Sequence, residues 1–140
     1  MSTLVLLAFA FTAATLGGMF YFVGGVAPVL FSVLSGPDAG RFVRALFKIY
    51  YVIFGVTSAA AAALAVAGGQ GLEAALLALI AAGFLVARQG LMPRINALRD
   101  RVTAGEREAE PTFNALHRTS VFLNLFQIIG LVAVAFLLVR

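Results

Sequence analysis

The stretch SVFLNLFQIIGLVAVAFLLV, Ser120 to Val139, decides the fold. It holds twenty residues and no charge. As a helix it is about 30 Å long, the thickness of a bilayer's hydrocarbon core. Working outward, the same signal recurs three times. One apolar run covers residues 3–34, about 48 Å of helix and longer than the core, so it must tilt, kink or protrude. Gly24, Gly25 and Pro28 supply a kink, because Pro28 cannot donate to the Gly24 carbonyl. Another run covers 46–67 and ends in the tight turn Gly68-Gly69-Gln70-Gly71. The third covers 72–89, with Glu73 and Arg88 near its ends, where long side chains reach headgroups. The fold expected is all-α: a four-helix transmembrane bundle, one integral membrane domain over residues 1–140.

Composition agrees. Of the 140 residues 62% are hydrophobic and 11% charged, and the mean hydropathy is +1.03. A soluble domain carries about 25% charged residues. There is no cysteine, so disulfides and thiolate metal sites are excluded. The net charge of +4 is too small, and too tied to the apolar spans, to indicate nucleic acid binding. Ala8-Phe9-Ala10 imitates a signal-peptide cleavage site, but no basic residue precedes it and the apolar run continues, so a retained helix is expected.

Charge placement sets orientation. Arg41, Arg44 and Lys48 lie in the first connection, and Arg88, Arg94, Arg99, Arg101, Arg107 and Arg118 in the third. Only Arg140 lies at the opposite face. The positive-inside rule then puts both termini on the non-cytoplasmic side. Ile95, Leu98 and Val102, interleaved with charges after Pro93, predict a short amphipathic cytoplasmic helix extending the third span. Thr103–Glu110 is a polar break, and Pro111-Thr112 restarts a helix.

Inside lipid, small residues and hydrogen bonds hold helices together. Candidate packing positions are Gly17 with Gly24 and Gly18 with Gly25 on the first span, and Gly55, Ala59 and Ala63 on the second. Ala74, Ala78 and Ala82 make a similar ridge on the third. Phe47, Tyr50 and Tyr51 suggest an aromatic cluster at the interface.

Several segments resemble the transmembrane protein 205-like family as a set. They include Ala27-Pro28-Val29-Leu30-Phe31 and Leu46-Phe47-Lys48-Ile49-Tyr50-Tyr51. The most specific are Pro93-Arg94-Ile95-Asn96 and His117-Arg118-Thr119-Ser120, the latter followed by Asn124. The resemblance implies a four-helix membrane protein of that family's bacterial branch, a domain of unknown function, and hence a bacterial inner membrane. It also implies a loose relation to copper-resistance D-type proteins and carries no catalytic residues.

His117, Ser120, Asn124 and Gln127 fall on one face of the fourth helix and form a candidate polar track. Thr12, Thr15, Tyr21, Tyr50, Thr57 and Ser58 are candidates to face it. Arg88, Arg94, Arg99 and Arg101 are candidate contacts to anionic lipid headgroups. A lone histidine and three methionines are a thin supply for a metal, and bis-histidine haem cannot form within one chain. No cofactor, catalytic set or phosphate loop is expected. Three functions are weighed: an accessory or scaffold subunit, packed against other membrane subunits or its own copies; a small resistance-type transporter using the polar track; and a membrane enzyme or haem protein, which the missing ligands disfavour.

Overall fold

The computed structural model describes all residues from Met1 to Arg140 and is helical almost throughout. Four long helices dominate: α1 (Thr3–Val33), α2 (Gly36–Ala67), α3 (Gly71–Thr103) and α4 (Arg107–Leu138). Each is long and apolar enough to cross a membrane. They run up and down in a closed ring, α2 lying between α1 and α3 and α4 sealing against both. One end carries the two termini and the α2–α3 turn. The other carries the α1–α2 and α3–α4 connections and nine of the ten Lys and Arg residues; it is called the basic end below.

The helices exceed the apolar spans at the basic end. α2 begins at Gly36 rather than near residue 46. Ser35 sits in extended backbone, its hydroxyl donates to Asp38, and Pro37 occupies the first turn, where a missing N–H costs nothing. The connection expected to hold Arg41, Arg44 and Lys48 is therefore helix, and only Leu34 and Ser35 separate α1 from α2. The polar break expected over 103–110 narrows to the three residues Ala104 to Glu106, with Gly105 at φ +94° completing the turn.

Two segments depart from α geometry, and proline explains both. Residues Phe22–Val26 in α1 and Ala87–Leu91 in α3 form π-turns. Each contains the glycine of a Gly-x-x-Pro run, Gly25 to Pro28 and Gly90 to Pro93, and ends two residues before the proline. A proline would strike the carbonyl four residues back and leave it without a donor. Widening the turn lets the preceding residue bond five back instead: Ala27 N–H donates to the Phe22 carbonyl and Met92 N–H to that of Ala87. The α3 extension is thus continuous with its span through a π-turn.

Burial is sparse. Only 24 of 140 residues are buried, and the bundle's axis is filled by Met19, Leu77, Phe84, Leu131 and Val134. The outer surface is covered by side chains such as Phe122, Phe126 and Phe136, each more than half exposed. In water this surface would aggregate; in lipid it is at home.

Candidate functional site

The interior of the bundle carries two polar layers. The first lies near mid-height. Thr12, Thr15, Ser58 and Gln127 are all buried. Thr15 and Thr57 hydroxyls meet at 2.7 Å, joining α1 to α2. The Gln127 Nε2 donates to the Ile80 carbonyl at 3.2 Å, joining α4 to α3. Gly83 makes room for that amide, since a Cβ there would sit 3.0 Å from Nε2. Ser58 Oγ and Gln127 Oε1 have no hydrogen-bond partner.

The second layer lies nearer the basic end, level with both π-turns. Phe22 packs edge-on to Phe47 and Tyr50, at 5.2 and 5.5 Å between ring centroids. Phe54 and Phe84 extend the aromatic network into the middle of the bundle. Tyr50 and Tyr51 are buried, so the aromatic cluster expected at the interface turns into the bundle rather than out to the headgroups. Their hydroxyls point across to α4. Tyr50 donates to Asn124 Oδ1 and Tyr51 shares a bond with Ser120 Oγ, both at 3.4 Å. Asn124 Nδ2 returns to the Ser120 carbonyl of its own helix.

The candidate polar track is therefore divided. Ser120, Asn124 and Gln127 face the interior, each on a different partner. His117 does not join them: it is exposed, its ring stacked on Phe113 one turn below. The inward stripe of α4 drifts round the helix as it runs back from Leu131 through Gln127, Asn124 and Ser120 to half-buried Leu116, and His117, the next residue, falls about 100° from Leu116. Tyr21 also faces outward, 72% exposed.

The small-residue positions separate in the same way. Gly18 lies under the Phe54 ring, and Gly55 under Phe84. Gly25 meets only Tyr21 of its own helix. Gly17 and Gly24 have open space beside them, and Ala59 and Ala63 are exposed. The α2 face that packs inside the chain is Ser58, Ala61, Ala62 and Ala65 instead. On α3, Ala78 and Ala82 likewise face out, while Ala74, Leu77, Ile80 and Phe84 face in.

The four candidate headgroup arginines differ. Arg94 is exposed, and Arg101 pairs with Glu106 at 2.7 Å. Arg99 is half-buried against Phe113. Arg88, within the second π-turn, is half-buried, makes no ion pair, and leaves its Nε without a partner. It lies about 22 Å in from the basic end of α3, deeper than Lys48, which lies about 18 Å in on α2. No three His, Asp or Glu side chains gather where they could hold a metal.

A prediction follows for Gln127. Its amide joins helices but keeps one buried oxygen unpaired, so Gln127→Leu exchanges one interhelical bond for relief of an orphan acceptor. The net loss should not exceed about 0.6–2 kcal/mol, read by unfolding in mixed micelles. A loss of transport or resistance without loss of stability would instead assign Gln127 a ligand.

Fold and site together define an all-helical, multi-pass membrane protein whose interior polar groups bind mostly one another. Residues 10–103 match a domain of unknown function, DUF4149, and the chain belongs to that family. The match covers α1 to α3, so Ser120, Asn124 and Gln127 lie beyond it. No curated protein and no solved structure matches the chain.

Proposed function

We propose that this chain is a non-enzymatic accessory or scaffold subunit of a bacterial inner membrane, with both termini outside and the basic end in the cytoplasm. The orientation rests on the nine-to-one distribution of Lys and Arg between the two ends. The resemblance to transmembrane protein 205-like proteins belongs to the same reading, as a likeness of architecture. A copper site like that of copper-resistance D-type proteins has no donor set here beyond the exposed His117 and scattered methionines.

One observation carries the subunit reading: the bundle leaves a small-residue face of α1 unused. On α1, Ala10, Gly17 and Gly24 recur every seven residues and Ala14 lies between them, all exposed. They fall within one arc of the helix. Close helix approach in lipid depends on such residues, and the α1–α2 contact uses Gly18 in their place. The transporter reading is the weaker one. The Ser120 hydroxyl, Asn124 and the Gln127 Nε2 are taken up by interhelical bonds, which leaves one amide oxygen, and no charge lies at mid-height.

The double substitution Gly17→Ile with Gly24→Ile tests this. Gentle nanodisc extraction of the parent chain should recover a stoichiometric membrane partner or a second copy. The double variant should remain folded and lose that partner. A parent chain that extracts only as a free monomer would overturn the reading.

A further inference from the structure

At the basic end a half-open cavity of about 640 Å³ lies between the first turns of α2, the last turns of α3 and the start of α4. Arg41, Arg44 and Arg99 line it, with Gly40 and Phe113. Its charges are unequally matched. Arg41 pairs with Asp38. Arg44 reaches Asp100 through both Nη atoms and also donates to the Asn96 carbonyl at 3.2 Å. Arg99 has neither an ion pair nor a protein acceptor, and the nearby Asp100 is already engaged. Its guanidinium carbon stands 5.4 Å from the centroid of Phe113. Its Nη1 rests so close above Gly40 that a Cβ there would overlap it.

The guanidinium of Arg99 is thus held between an aromatic face and a glycine, with its donors unspent beside two further arginines. A planar fork of donors with one positive charge in excess suits a phosphate oxygen pair. Depth bears on the source, if Lys48, at the start of the apolar span of α2, marks the edge of the hydrocarbon. Arg44 lies about 6 Å beyond Lys48 along α2, and a headgroup layer extends about 5–7 Å beyond the hydrocarbon. The inner rim of the cavity, at Arg44, therefore sits where lipid phosphates lie, while Gly40, with the Arg99 guanidinium over it, stands about 6 Å farther out along α2, at the aqueous edge of the headgroup layer.

We infer that this cavity binds the phosphate of one anionic phospholipid, with Arg99 as the principal donor. Inorganic phosphate shares the chemistry, but only a lipid is held at this depth by its own chains. The inference goes beyond the subunit reading and does not depend on it.

Native mass spectrometry of the full chain, titrated with phosphatidylglycerol or phosphatidylcholine, tests it. One phosphatidylglycerol should be retained in preference to phosphatidylcholine. Arg99→Ala should weaken that retention about fivefold, the effect of one basic residue at an anionic surface. Gly40→Leu keeps every charge but displaces the guanidinium, and should weaken it comparably. Arg107→Ala removes an exposed arginine outside the cavity and should change nothing. Equal retention of the two lipids, or an equal loss in Arg107→Ala, would overturn the site. Binding of millimolar inorganic phosphate with no lipid preference would overturn the lipid as its ligand.

Discussion

Gly18→Ile should cost about 1–3 kcal/mol of bundle stability, while Gly17→Ile, one residue away, should cost almost nothing. The two glycines point about 100° apart around α1. A Cβ at Gly18 would lie 2.6 Å from Phe54 Cζ, whereas nothing lies within 4 Å of one at Gly17. An aromatic tip can sometimes swing aside, but Phe54 is boxed in by Tyr50 at 4.5 Å and Phe84 at 6.0 Å between centroids. The added volume must therefore push α1 off α2, and the contact between Thr15 and Thr57 hydroxyls one turn away goes with it. Helix propensity favours both substitutions over glycine, so it cannot produce the contrast. Denaturation in mixed micelles, followed by circular dichroism, checks the pair. Equal costs at both sites would mean that α1 is rotated from the orientation described.

How much of this was legible in the sequence follows from what lipid does to sequence signals. Charge is expelled from hydrocarbon, so the gaps between charges marked four helices, although three of them run on past their gaps at the basic end. Polar side chains are also expelled from the lipid face. Thr12, Thr15, Tyr50, Ser58, Asn124 and Gln127 accordingly point inward or are half-covered, as their chemistry requires. Tyr21 does not, since a phenol can lie exposed near an interface.

Helix rotation was the illegible part. A soluble helix announces its buried face by hydrophobicity, but a lipid-facing leucine and a core leucine look alike. The run Ala59 to Ala63 is the extreme case: five identical residues fit every rotation. Tyr50 and Tyr51 fix it in the fold, turning Ala61, Ala62 and Ala65 inward and leaving Ala59 and Ala63 to the lipid. The second π-turn was hidden for a different reason. Pro93 stands where charges already announce the end of a span, so it reads equally as a kink or as a helix start, and only the fold shows that it perturbs a helix continuing to Thr103. The basic cavity was invisible too, because Arg44, Arg99 and Phe113 are far apart in sequence and their approach depends on the closed ring. Only the candidate role of Arg99 in headgroup contact was available beforehand.

Phe84→Ala carries the other large effect, and its magnitude bears on the membrane itself. Phe84 is fully buried, centred among Tyr50, Phe54 and Gly55. In a water-soluble core, this truncation costs about 3–5 kcal/mol, the sum of a transfer term and a cavity term. Helices that separate within a bilayer leave Phe84 in hydrocarbon in both states, so the transfer term vanishes and the lost packing remains. The expected cost is about 2 kcal/mol. Loosening this layer should also weaken the bonds from Tyr50 to Asn124 and from Tyr51 to Ser120, visible as faster amide exchange on α4 near Ser120. Phe84→Leu refills part of the space and should recover about half the loss. A cost at the full water-soluble value would mean that this face meets water when the helices part, and the account of α3 as a lipid-embedded span would fail with it.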